Sequence, residues 1–213
     1  MKEYIVFDLD GTLIDTSDLV VDSWKHVIKY YTGKEADRTA ILHTFGEPIE
    51  KTMKLLFPNE NQKEALEIYR KYQAKKAEEK IKVFDGIKDM LQALKDRGKT
   101  LGIVTSRTRI TAEVYVKMTG INKFFDTLIT CDDVVKHKPS PEPLLLALSN
   151  LGAEKRDSIM IGDTRFDIGC ANSAGVESVL LQWSRPADEK ELAELGYIPT
   201  YRIKKPEELL ELV

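Results

Sequence analysis

Three short apolar runs, each stopped by a polar turn, constrain this chain more than any other feature. Tyr4-Ile5-Val6-Phe7 ends at Asp8-Leu9-Asp10-Gly11, Leu101-Gly102-Ile103-Val104 ends at Thr105-Ser106, and Ile159-Met160-Ile161 ends at Gly162-Asp163. Such runs are too short for helices and too continuous for one-sided strands, so they predict strands buried on both faces. Between them the period changes. Ile87, Met90, Leu91 and Leu94 recur at helical spacing before Gly98, and residues 144–151 repeat the pattern before Gly152; glycine suits the left-handed turn that closes a helix. Weaker strands are predicted at 127–130 and 178–181. Strands alternating with helices imply right-handed crossovers, and hence an α/β fold whose doubly wound parallel sheet is wrapped by helices on both faces.

From 17 to 80 this alternation stops, and only helical periodicity is found. Val20, Trp24, Val27, Ile28 and Tyr31 form one apolar stripe, and Leu66, Tyr69 and Tyr72 form another above the charge run 75–80. The expectation is an all-helical module of residues 17–80 inserted into an α/β domain made of 1–16 and 81–213. A chain of 213 residues is long enough for both. Its 32 Lys+Arg against 35 Asp+Glu give a formal charge of -3, which offers no field for nucleic acid or anionic lipid. Two cysteines, Cys131 and Cys170, make no disulfide framework and no CxxC pair, so a reducing cytoplasm is expected. They read as core residues, on a strand and a helix. A signal peptide is not expected at the N-terminus, nor does any stretch approach the roughly 20 apolar residues of a membrane span.

Asp8 and Asp10 point the same way from an extended chain, just past the end of a strand. At about 4 Å and an effective dielectric of about 20 they repel by roughly 4 kcal/mol, enough to displace one pKa by about 3 units unless a cation intervenes. A metal or a proton-carrying carboxyl is therefore expected there; a lone pair of this kind would otherwise be a solvated turn. Asp163 also ends an apolar run, and Asp167 lies one helical turn further on. Mg²⁺ prefers a few carboxylate oxygens plus water and phosphate, which suits Asp8, Asp163 and Asp167. Asp167 has the alternative role of compensating a helix N-terminus. His26, His43 and His137 form no cluster that would favour zinc. Thr105-Ser106 offers hydroxyls and backbone N–H groups to phosphate oxygens, or simply caps a helix. Lys138, in His137-Lys138-Pro139-Ser140-Pro141, sits in a rigid segment that can aim an ammonium at developing negative charge, with Lys136 as its competitor. Arg107, Arg109 and Arg165 add guanidiniums near these segments; they read as solvated helix charges, with substrate binding as the alternative.

The order DxDGTL at 8–13, TS at 105–106, KPxP at 138–141 and GDTxxD at 162–167 resembles the haloacid dehalogenase superfamily of phosphohydrolases. The resemblance covers essentially the whole chain, since that superfamily places a small cap domain directly after DxDGTL. Segments 7–17, 129–143 and 164–175 are similar to the phosphoglycolate phosphatase group and to its bacterial inorganic pyrophosphatase members. The resemblance implies a Rossmann-like core, Asp8 as nucleophile and Asp10 as general acid/base. It also implies Mg²⁺ held by the Asp8 and Asp163 carboxylates and the Asp10 carbonyl, with Asp167 supporting them directly or through water. Thr105, the Ser106 backbone and Lys138 would stabilise the transferring phosphoryl group. The implied activity is hydrolysis of a small phosphorylated metabolite, of the phosphoglycolate or pyrophosphate type, through a phosphoaspartate.

Two other functions fit all or part of the same pattern. A sugar-phosphate mutase of the same superfamily would protect its phosphoenzyme from water, and a phospho-acceptor signalling domain would leave Asp10 and the helical insertion idle. Free phosphate released over many turnovers separates hydrolysis from both. Substrate choice is expected to lie with the insertion, where the turn at 44–48 places Glu47 as the candidate specificity residue.

Overall fold

Burial on both faces decides where the strands fall. The computed structural model describes residues 2–42, 44–45, 49–58, 60–184 and 187–213. In chain order its elements are β1 (Tyr4–Phe7), β2 (Ile14–Asp15), α1 (Ser17–Thr32), α2 (Arg38–Leu42), α3 (Ile49–Leu56), α4 (Gln62–Lys80), β3 (Lys82–Val83), α5 (Ile87–Asp96), β4 (Thr100–Val104) and α6 (Arg109–Met118). There follow β5 (Thr127–Ile129), α7 (Glu142–Leu151), β6 (Ser158–Gly162), α8 (Arg165–Ala174), β7 (Glu177–Leu181), α9 (Glu189–Glu194), β8 (Tyr201–Ile203) and α10 (Leu209–Leu212). The three strongest apolar runs became β1, β4 and β6, with Ile5, Val6, Leu101, Ile159 and Met160 fully buried.

Six strands form one parallel sheet in the order β5-β4-β1-β6-β7-β8. Phe7 pairs with Ile103 on one side of β1 and with Ile161 on the other. The chain builds outward from β1 through β4 to β5, then returns to lay β6, β7 and β8 on the opposite side. Strand order thus reverses at β1, the place where open α/β sheets bind ligands beyond their C-terminal ends. Asp8, Thr105 and Asp163 are each the first residue past the end of one of three adjacent strands. β8 went unpredicted because it has only three residues, two of them exposed on a sheet edge, and leaves no apolar run to detect.

Helix ends follow the local chemistry. α5 buries Ile87, Met90, Leu91 and Leu94, and the chain turns at Gly98 with φ +73°. α8 opens on a reciprocal cap in which Thr164 and Asp167 satisfy each other's backbone and side chain, so the residues after β6 are fixed in direction. Cys131 lies in a short 3₁₀ turn, Cys131–Asp133, and is half-buried rather than in a strand core. The apolar run ends at Ile129, and Thr130 caps the turn instead. Cys170 is buried in α8, as expected, and burial pushes its thiol up to about 12.

The structure divides into two compact units, residues 1–15 with 83–213 and residues 16–82. In the smaller one the four helices α1 to α4 surround Trp24, whose ring centroid lies 4.7 Å from that of Tyr69 and 6.4 Å from that of Phe57. Val21, Val27, Ile41, Met53 and Ala65 complete that core. At roughly 1.5–3 kcal/mol for each large side chain buried, this cluster is what holds the short helices α2 and α3, which propensity alone would leave frayed. Among the described residues no helix is long and apolar enough to cross a membrane.

Candidate active site

The sheet carries Asp8 to the centre of the site because its own backbone is paired on the β6 side, with Asp8 N donating to Ile161 O at 2.8 Å. Asp8 as a residue is 5% exposed. Lys138 Nζ stands 2.6 Å from Asp8 Oδ1, 2.6 Å from Asp167 Oδ1 and 3.2 Å from the carbonyl of Val104, the last residue of β4. One ammonium thereby ties the ends of β1 and β4 to the first turn of α8. Lys136, its competitor in sequence, is exposed and offers its backbone N–H to Glu142. The Lys138–Pro139 peptide is cis.

Asp163 follows β6 directly and faces the loop after β1. Its Oδ1 accepts from the buried Thr12 hydroxyl at 3.2 Å, while the Thr12 carbonyl accepts from Trp183 Nε1 at 3.2 Å. Gly11, at φ +80°, comes so close that a Cβ there would stand 2.2 Å from Asp163 Oδ2. The glycine of DxDGTL is thus required twice, for its left-handed backbone and for its missing side chain. Asp167 has both oxygens in use: Oδ1 holds Lys138, and Oδ2 accepts from the Thr164 amide at 3.0 Å and hydroxyl at 2.6 Å. Its capping role and its place in the cluster coexist.

One carboxylate oxygen from each of Asp8, Asp163 and Asp167 lies within 4.8 Å of the other two, and all three residues are buried. Burial, first, and then the neighbouring Asp167 and Asp10 carboxylates raise Asp8 to about 7 against the pull of Lys138. Burial followed by Asp8 and Asp167 holds Asp163 well above the usual carboxylate range. Burial by itself would lower Lys138, but the Asp167 and Asp8 charges outweigh it and keep the ammonium protonated. One ammonium offsets only one of three carboxylates, a mismatch that a hard divalent cation corrects. The donor set is oxygen alone, so it fits Mg²⁺ and offers nothing to soft metals.

Thr105 is buried at the end of β4, with its hydroxyl accepting from the Arg107 amide at 3.2 Å; Ser106 beside it is half-buried. Asp10 is brought to the same end of the sheet, but its carboxylate is engaged by an arginine that the sequence offered as a solvated charge or a substrate ligand, not as its partner. Arg107 Nε lies 2.8 and 2.7 Å from the two Asp10 oxygens, and the arginine is 12% exposed. Arg107 is therefore not the solvated charge expected of it. No local signal could have told it from Arg109, which pairs with Asp133 and Glu113, or from Arg165, which pairs with Glu191. Thr12 and Trp183 were likewise missed as supports of the site, although Thr12 stands within DxDGTL. Glu47, and with it His43, falls outside the described residues.

Three buried carboxylates and an ammonium at the reversal point of a parallel sheet define a class. The chain belongs to the haloacid dehalogenase-like hydrolase family, which it matches over residues 5–181. It is 36% identical over 208 residues to the pyrophosphatase PpaX of Bacillus velezensis, covering 98% of this chain and 94% of that one. Among solved structures it resembles a haloacid dehalogenase-like hydrolase from Streptococcus pneumoniae, with a TM-score of 0.87 and 28% identity over 99% of this chain and 98% of that one. It also resembles a Lactobacillus plantarum protein provisionally called a phosphoglycolate phosphatase, with a TM-score of 0.83 and 27% identity over the whole of both chains.

Proposed function

We propose that the protein is a Mg²⁺-dependent phosphatase that hydrolyses a small phosphorylated anion, with pyrophosphate favoured, through a phosphoaspartate on Asp8. The observation that carries this reading is the Lys138 ammonium shared by Asp8 and Asp167 beside Asp163, at the strand ends where order reverses. Similarity to a pyrophosphatase and to a protein linked with phosphoglycolate supports the choice of substrates.

An Asp8 oxygen attacks phosphorus in line, the bond to the leaving oxygen breaks, and Asp10 passes its proton to that oxygen. Water then attacks the aspartyl phosphate while Asp10 takes the water proton. The phosphorus bond to Asp8 breaks, freeing orthophosphate and restoring the carboxylate. Thr105, the Ser106 amide and Lys138 donate to the equatorial oxygens, where most of the charge lies. Asp8, Asp163 and the Asp10 carbonyl would hold Mg²⁺, with Asp167 in support; bound there, the ion neutralises charge on the phosphoryl oxygens. The helical unit, inserted just after the loop carrying Asp8 and Asp10, would act as a cap that admits small anions and keeps macromolecules out.

Purified protein with Mg²⁺, screened against pyrophosphate, phosphoglycolate and other phosphometabolites, should release free phosphate over many turnovers. Asp8→Asn should fold normally and release none, because an amide is a poor nucleophile. Transfer to a second sugar phosphate without net release would identify a mutase instead, and appreciable turnover by Asp8→Asn would end the covalent reading.

A further inference from the structure

More is built around Arg107 than around a surface arginine. Its Nε donates to both oxygens of Asp10, and its guanidinium carbon lies 4.4 Å from the ring centre of Tyr115, a buried residue of α6. Its backbone is held on both sides: the amide donates to the Thr105 hydroxyl at 3.2 Å, and the carbonyl accepts from the Cys131 amide at 3.0 Å. A planar cation stacked on an aromatic ring makes its hydrogen bonds in the plane of the fork, which is the geometry that recognises carboxylate or phosphate with two bonds.

We infer that Arg107 determines specificity by binding the leaving group, and that it selects leaving groups carrying an anionic substituent of their own. The second phosphate of pyrophosphate and the carboxylate of phosphoglycolate are both of this kind. The inference rests on Asp10 being the acid/base. A group that passes a proton to the leaving oxygen must come within roughly 2.6–3.2 Å of it. A guanidinium less than 3 Å from that group's oxygens is then one further hydrogen bond from the leaving group's substituents. While both Asp10 oxygens accept from Arg107, the carboxyl faces the arginine and not the substrate. An anionic leaving group offers the guanidinium a second charged partner and draws it off Asp10, whereas an uncharged alcohol does not. Substrate capture and release of the acid/base are then a single event for anionic leaving groups only. Arg107 itself makes and breaks no covalent bond.

Wild type, Arg107→Gln and Arg107→Lys are compared with Mg²⁺ on pyrophosphate, phosphoglycolate and phenyl phosphate, whose leaving group has no anionic substituent. Arg107→Gln should lower kcat/KM roughly 10- to 100-fold on the first two, the range for losing a charge-assisted hydrogen bond, and should raise it on phenyl phosphate, where Asp10 is no longer held by the arginine. Arg107→Lys keeps the charge without the fork and should recover part of the loss on the anionic substrates alone. Binding of methylenediphosphonate, a pyrophosphate analogue that is not cleaved, should weaken in Arg107→Gln by calorimetry. Equal loss on all three substrates would reduce Arg107 to a residue that orients Asp10, and no loss on the anionic pair would remove it from the leaving-group site; either overturns the inference while an Asp8-dependent reaction stands. Turnover surviving in Asp8→Asn would instead overturn the covalent reading and this inference with it.

Discussion

Asp8 concentrates the conflict that the site must resolve. Its pKa is raised from 3.8 to about 7, chiefly by burial, so between those values the folded chain keeps a proton that the unfolded chain has released. Raising the pH across that window therefore favours unfolding, and above about 7 the penalty is constant. In chelator, Asp8→Asn should match wild type in Tm near pH 4 and exceed it increasingly toward pH 7, with Mg²⁺ erasing the advantage. A difference in Tm that does not change with pH would show that Asp8 carries no such burden. The two aspartates after β6 should separate as well. Asp167 spends one oxygen on Lys138 and the other on Thr164, whereas among the described residues the side-chain donors to the Asp163 carboxylate are the Thr12 and Ser184 hydroxyls. Asp163→Ala should accordingly raise the Mg²⁺ concentration needed for half-maximal activity more than Asp167→Ala, while Asp167→Ala should lower Tm more. Reversed rankings would exchange the two roles.

At the scale of elements, the loop between β1 and β2 is shaped by Gly11. An alanine there must adopt a left-handed backbone at roughly 1–2 kcal/mol and push its Cβ into the Asp163 carboxylate. Gly11→Ala should thus lose Tm and also need more Mg²⁺, because Asp163 has to move; a normal metal requirement would show that the loop yields instead. This close approach explains what the sequence made legible here. That Asp8, Asp10, Thr105, Lys138 and Asp163 would gather at one end of the sheet could be expected from the sequence because each stands at a strand end or in a rigid turn, where backbone geometry sets the direction of the side chain. Strands β1, β4 and β6 could be placed because burial on both faces leaves a continuous apolar run. β8 could not, since an edge strand with two exposed residues has no such run, and Cys131 was misplaced because strand β5 gives way to a turn two residues earlier, at Ile129.

On the scale of the whole molecule, the oxygen-only cluster decides the response to metal ions. Chelation by EDTA should abolish turnover and Mg²⁺ should restore it, whereas Ca²⁺ should inhibit, since it takes more oxygen ligands at longer distances and disturbs in-line geometry. Full activity in EDTA would refute the metal site. The sequence by itself determined the alternation of strand and helix, the helical insertion, and the residues that end each central strand, because these depend on periodicity and on turns a few residues long. Tertiary structure alone decided that Lys138 bridges Asp8 to Asp167 across separations of 130 and 29 residues, and that Arg107 rather than Arg109 or Arg165 turns toward Asp10. A long flexible side chain carries no local mark of its partner. Which carboxylate it meets is settled only when the order of strands brings β1, β4 and β6 side by side.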